Sequence, residues 1–330
     1  MKSKIMFSAV LFITILCLPG CKKELNVNDP GALVPKTADL DGSIPSIIVN
    51  GTQLHSEAFG DPGDPMVVVL HGGPGSDYRG LLNVKNLVDQ HYYVVFYDQR
   101  GSGLSKRHPK NSYNIDVMLD DLGAVIGHYR SSPAQKVFLF GHSWGAMLAT
   151  AYINKYPVAV AGAVLIEPGG LTYADLKEYN KRNQDLNLFE EATNDAMYPD
   201  QLLSGKENDH AILDYRLALR IPYMYAAGNV EGIEGPYPFW RFGAAVLKRL
   251  VQLAKEEGFD FTINLHQFTT PVLFLYSQNN RAYGQQYANK EAAAFPHADV
   301  VQVSGTGHEM ICFKWQSVAA LTVPYLNSLR

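Results

Sequence analysis

A chain of 330 residues, 47% hydrophobic and 18% charged, is long enough for a large core and has none of the bias of a disordered or fibrous sequence. Its formal net charge of −4, with no basic run, excludes a nucleic-acid partner held by charge. Its three cysteines, at positions 17, 21 and 312, exclude a disulfide framework and a cysteine-based metal site.

The N-terminus reads as an export signal. Lys2 and Lys4 precede an apolar run from Ile5 to Leu18, too short to span a membrane comfortably. The segment Leu18–Pro19–Gly20–Cys21 resembles a bacterial lipobox. That resemblance implies a leader over 1–20 and a lipid on Cys21, which anchors the exported protein to a cell-envelope membrane; an uncleaved anchor helix is the alternative. Residues 21–43, with Asn, Asp, Pro and Gly scattered through them, are expected to form a tether.

The body follows as strands alternating with helices. Ser46–Val49 and Gln53–Phe59 flank Asn50–Gly51, whose two residues tolerate the positive φ of a hairpin turn. Met66–Leu70, Tyr92–Tyr97, Val137–Phe140, Gly162–Ile166 and Val272–Leu275 are apolar runs suited to strands buried on both faces, and Asp299–Val303 adds a sixth. Helical patterns cover Ile115–Tyr129, Ser143–Tyr156, Gln285–Phe295 and Lys314–Leu329, the last expected to kink or break at Pro324. This alternation predicts an α/β fold with a mostly parallel sheet covered on both faces. It fails once, between Ile166 and Val272, where Leu171–Asn183, Leu186–Ala196, His210–Leu219 and Trp240–Glu257 read as helices around a Gly/Pro-rich break at Ala227–Pro238. The expected organisation is a core over 44–167 and 265–330, with a helical cap over 168–264 above the carboxyl ends of the strands.

The chemistry centres on Gly141–His142–Ser143–Trp144–Gly145, which follows a strand and opens a helix. That order suits a nucleophile elbow: the glycines permit a tight turn, the turn lifts the Ser143 hydroxyl clear of the sheet, and the helix N-terminus favours developing negative charge. The backbone N–H of Trp144 is the first expected oxyanion donor.

With these pieces in place, the body from about Ser46 to Arg330 resembles the α/β-hydrolase fold and, within it, the proline-iminopeptidase-like group. The matching residues are His71–Gly72–Gly73–Pro74–Gly75, Tyr97–Asp98–Gln99–Arg100–Gly101–Ser102–Gly103, the elbow, and Gly305–Thr306–Gly307–His308. The resemblance implies His308 as the base, Gly73 as the second oxyanion donor, and Asp98 and Arg100 as a brace beneath the site. Where the group places an acidic residue this chain has Asn280, so two supports for His308 stand open: Asn280 itself, or Glu167 at the end of the preceding strand. Glu167 is preferred, because a carboxylate ending a buried strand needs a partner.

A serine nucleophile points to esters, amides or N-terminal peptide bonds cleaved through an acyl-enzyme. The expected partner is therefore a small molecule or short peptide. An aminopeptidase must also grip an ammonium group; the resemblance points to Trp240–Arg241, with Arg where an acid is expected, leaving Glu231 and Glu234 as substitutes. The alternative, from another class, is a lipid-anchored binding protein on a hydrolase scaffold. No cofactor and no metal is implied, and Cys312 is expected to be a buried apolar residue.

Overall fold

A computed structural model describes residues 29–183, 207–225 and 228–330. The leader, Cys21, the start of the tether and the expected helix Leu186–Ala196 lie outside the described residues. The fold is an α/β fold built on one mostly parallel sheet. Its eight strands are β1 (Ser46–Val49), β2 (Thr52–Phe59), β3 (Met66–Leu70), β4 (Tyr93–Tyr97), β5 (Val137–His142), β6 (Gly162–Ile166), β7 (Val272–Ser277) and β8 (Ala298–Val303), in the order β1-β2-β4-β3-β5-β6-β7-β8. Pairings from β4 through β8 are parallel, while β1–β2 and β2–β4 are antiparallel. The β1–β2 hairpin turns through Asn50 and Gly51 at φ 45° and 71°.

Strands β3 to β7 are buried along their whole length, and apolar except for His142 and Ser277 at the ends of β5 and β7, because both faces are covered. Val68, Leu70, Val95 and Leu139 pack against α1 (Ile115–Tyr129) and α2 (Trp144–Lys155). Val67, Val69, Phe138 and Phe140 face the other way, onto a run of 3-10 turns over Arg79–Gln90 and the C-terminal helix α8 (Trp315–Ser328). Between β6 and β7 stand the cap helices α3 (Tyr173–Arg182), α4 (Glu207–Ala218) and α5 (Ala244–Glu257); α6 (Gly284–Ala292) and α7 (Met310–Phe313) belong to the core. Among the described residues no helix is long and apolar enough to cross a membrane.

Three expectations are corrected. The C-terminal helix is not broken at Pro324 but continues to Ser328, held by Val318 and Leu326 in the core and by the Tyr325 hydroxyl, which donates to the Pro271 carbonyl and accepts from the Ala163 N–H. The cap helix expected from Trp240 starts at Ala244, since residues 240–243 are held by the core instead. The last part of the expected tether is seated on the body: Val34, Thr37 and Ala38 are buried, Ala38 N–H donates to Leu104 O at 2.8 Å, and Arg241 Nη1 donates to Pro35 O at 3.0 Å.

Cap and core are also joined through charge. Asp214 on α4 is fully buried and accepts from Arg107 Nε at 3.0 Å, Arg241 Nε at 2.7 Å and the Ala244 N–H at 2.8 Å. Burial opposes the Asp214 charge, but Arg107 and Arg241 outweigh it and hold the carboxyl below its ordinary value. Removing the acid leaves two buried guanidinium groups uncompensated. Asp214→Ala should therefore cost about 3–5 kcal/mol in urea unfolding, whereas an exposed control such as Asp116→Ala should stay within about 0.5 kcal/mol.

Candidate active site

The carboxyl ends of five neighbouring strands build one site. At the end of β5, Ser143 sits at φ 54° and ψ −121°, a left-handed conformation uncommon for a residue with a side chain, and α2 begins at the next residue. A Cβ at Gly145 would lie 2.0 Å from Leu70 O, so the elbow can pass β3 only with glycine there. The loop after β3 lies against it: a Cβ at Gly72 would stand 3.2 Å from Ser143 Cβ. Gly73 follows at φ 118° with its surface exposed, joined to Pro74 by a cis peptide bond.

Gln99 ties the two loops together. Its side-chain oxygen accepts from Trp144 Nε1 at 2.8 Å, and its amide donates to His71 O at 2.9 Å. His71 Nδ1 donates to Gly72 O and Nε2 accepts from the Gln99 N–H, so this ring is neutral; burial lowers its pKa. Asp98 and Arg100 are braces, as expected: Asp98 accepts from His55 and from the Tyr78 and Leu104 N–H groups, and Arg100 pairs with Asp121.

One strand further on, Glu167 ends β6 at φ 43° with no exposed surface. Its Oε1 accepts from Ser277 N–H at 2.7 Å and Ser277 Oγ at 2.6 Å. Its Oε2 accepts from Asn280 Nδ2 at 2.8 Å and pairs with His308 Nδ1 at 2.6 Å. The structure thus brings Glu167, not Asn280, onto the His308 ring. Asn280 grips the carboxylate instead, while its Oδ1 accepts from the Ala282 and Tyr283 N–H groups. His308 is tied to the elbow as well: its carbonyl accepts from His142 Nε2 at 2.9 Å, and the two rings lie 4.6 Å apart.

Carboxylates crowd this ring. Glu231 accepts the His308 N–H through its backbone carbonyl at 2.9 Å, and its side chain accepts from Tyr179 Oη at 2.6 Å. Glu309, absent from the sequence reading, lies half-buried beside His308; its Oε2 is 3.9 Å from His142 Nε2 and has no hydrogen-bond partner among the described residues. Its one signal in the sequence was adjacency to His308. Burial pushes Glu309 up to about 7 and drives His142 down to about 3. Glu234 is exposed, away from these contacts. The half-buried Trp240 ring packs edge-on to His55 and Tyr78, with Arg79 above it. Cys312, expected to be buried, is half-buried.

Among the described residues, His142, His308 and Glu309 are close enough to hold a metal ion, with donor atoms within 4.8 Å of one another. His142 Nε2 already donates to the His308 carbonyl and His308 Nδ1 is engaged by Glu167, so an ion there would have to take the other nitrogen of each ring, on His308 the one that faces away from Glu167.

A family model of the alpha/beta hydrolase fold matches residues 65–314. The chain belongs to that family. A proline iminopeptidase of Thermoplasma volcanium is 38% identical over 110 residues, 33% of this chain and 36% of that protein. Epoxide hydrolase B of Mycobacterium tuberculosis is 35% identical over 117 residues, 34% of this chain and 32% of that protein. A proline iminopeptidase of Arabidopsis thaliana is 32% identical over 238 residues, 67% of this chain and 57% of that protein. The chain therefore spans about a third of the length of the first two relatives and over half of the third. Among solved structures, a proline iminopeptidase of Mycobacterium smegmatis matches with a TM-score of 0.60 at 16% identity, over 86% of this chain and 98% of that one, a likeness of fold. These relatives support a hydrolase.

Burial alone would depress the His308 imidazole, but Glu231 and then Glu167 outweigh it and hold its pKa well above 6.5. A raised folded value means that the ring's pairing stabilises the protein fully below pH 6.5, a contribution lost as pH rises through the folded value. The His308 ring-proton resonance should titrate above 6.5, and Glu231→Gln and Glu167→Gln should each move the midpoint down; an unmoved midpoint in both variants would contradict this electrostatic account.

Proposed function

We propose that the protein is a serine hydrolase acting through an acyl-enzyme. The observation that carries this reading is the buried Glu167 carboxylate on His308 Nδ1, beside a strained serine elbow. Glu167 fixes the ring so that Nε2 serves Ser143, and its charge stabilises the imidazolium that forms. The Ser143 oxygen attacks the substrate carbonyl as His308 takes its proton. The N–H groups of Gly73 and Trp144 receive the oxyanion. His308 then returns the proton to the leaving group, and water attacks the ester on Ser143 by the same route in reverse.

Serine at the elbow favours acyl transfer over epoxide opening, which proceeds through an ester to a carboxylate nucleophile. Glu231 and Glu309, both close to His308, favour a substrate with a positive end. This supports an aminopeptidase of the proline-iminopeptidase kind, with esters of short acids as the simpler alternative substrates. The complete Glu167–His308 pair removes the main argument for a vestigial site. We also place the protein outside the cytoplasm, anchored by lipid on Cys21.

A fluorophosphonate probe should label Ser143, and His308→Ala should abolish the label; no labelling of folded protein would favour a binding protein. Glu167→Gln should lower kcat by about 10⁴-fold. Asn280→Ala should cost far less, because both Ser277 donors still hold the carboxylate. Glu309→Gln should raise KM for proline p-nitroanilide and leave the KM for p-nitrophenyl acetate unchanged; equal changes in the two KM values would remove the ammonium role. For the anchor, Cys21→Ser should abolish palmitate labelling and shift the protein from membranes to the released fraction.

A further inference from the structure

The loop that carries Gly73 is fastened at its far end to the cap. Asp77, two residues past Gly75, has no exposed surface. Its Oδ2 accepts from the Trp240 N–H at 2.6 Å and the Arg241 N–H at 3.0 Å, and its Oδ1 accepts from the Arg79 N–H at 3.0 Å. On either side, the Gly243 N–H donates to Gly75 O at 2.7 Å and Arg79 Nη1 donates to Phe239 O at 3.0 Å. The approach is close: a Cβ at Gly75 would stand 2.6 Å from Gly243 O, and one at Gly243 would stand 2.0 Å from Gly101 O.

The cap's return segment, Phe239–Gly243, is therefore the outer wall of the loop, while the elbow is its inner wall, with Gly72 against Ser143. A carboxylate is a costly group for this purpose. Burial and the neighbouring Asp98 both push Asp77 above the ordinary carboxylate range, against the pull of its three backbone donors. What those donors supply in return is direction, since charge-assisted bonds from rigid backbone fix the position of both segments.

We propose that Asp77 is a positioning residue for the oxyanion hole, clasping the return segment of the cap so that the Gly73 N–H points at the developing charge. The inference rests on the acyl-transfer reading above. Gly73 is then competent only while the segment Phe239–Gly243 is seated against Asp77 and Gly75.

The test uses the full-length chain, p-nitrophenyl acetate as substrate, and a trifluoromethyl ketone, whose adduct with Ser143 places an oxyanion in the hole. Asp77→Ala should lower kcat by about 10–100-fold with a much smaller change in KM, and should weaken ketone binding by the same factor. Asp77→Asn, which keeps one acceptor oxygen, should recover part of both losses. Arg79→Ala removes only the exposed strand of the clasp and should cost severalfold in kcat and ketone affinity. A folded Asp77→Ala enzyme with parental kcat, or one that loses kcat while binding the ketone as tightly as the parent, overturns the proposal. Should Asp77→Ala not fold, parental kcat and ketone affinity in Arg79→Ala overturn it instead. A parent chain that neither labels nor turns over any ester removes the hydrolase reading itself, and the clasp's catalytic role with it.

Discussion

The site depends on one buried charge. A carboxylate with no exposed surface is tolerated only when its oxygens are filled, and Glu167 has four donors from three separate places: Ser277 twice, Asn280 and His308. Those donors come from the end of β7, the turn after it and the loop after β8. Meeting at one side chain, they fix the spacing of the ends of β6, β7 and β8. The His308 N–H then extends the connection to Glu231 in the cap, so the position of the base is set from both sides of the cleft.

The same crowding of acids has a consequence for the base. Glu231 and Glu167 favour the protonated imidazole, which reduces the share of neutral ring available near neutral pH. A positive group seated beside Glu231 would weaken that field and return His308 toward its ordinary value. On the proposed reading, binding of a cationic substrate and activation of the base are therefore coupled through Coulomb's law alone. A neutral ester would bring no such relief.

Much of this was legible in the chain. The apolar runs at β3 to β7 announce strands buried on both faces, and the glycines around Ser143 announce a turn that nothing larger could make. Glu167 could be singled out because a carboxylate ending a buried strand requires a partner. Asn280 stayed open as the alternative support because chain position puts it in the acid's loop; only the folded turn shows its amide facing Glu167 and its carbonyl facing Ala282 and Tyr283. Asp77 and the seated segment Val34–Ala38 were invisible for another reason. Their partners, such as Trp240 for Asp77 and Arg241 for Pro35, lie 163 and 206 residues away, and no local pattern records a contact at that range. The start of α5 was lost in the same way: Trp240, Arg241 and Gly243 are held by Asp77 and Gly75, partners remote in the chain.

The two strained residues explain how the reactive groups reach the same edge of the sheet. Ser143 and Glu167 both adopt positive φ without being glycine, at a cost of about 1–3 kcal/mol each, and they end adjacent parallel strands. Neither is a free turn. The Ser143 N–H donates to Ile166 O at 2.8 Å, and the Glu167 N–H donates to Leu275 O at 3.1 Å. Each strained residue thus extends its own strand's ladder onto the next, β5 onto β6 and β6 onto β7, before its side chain turns away. The parallel register absorbs the strain twice in succession and sends the hydroxyl and the carboxylate upward from neighbouring strands. A sheet with β6 reversed would lose both bonds and aim Glu167 at the opposite edge. The parallel topology is therefore part of the chemistry as well as its scaffold.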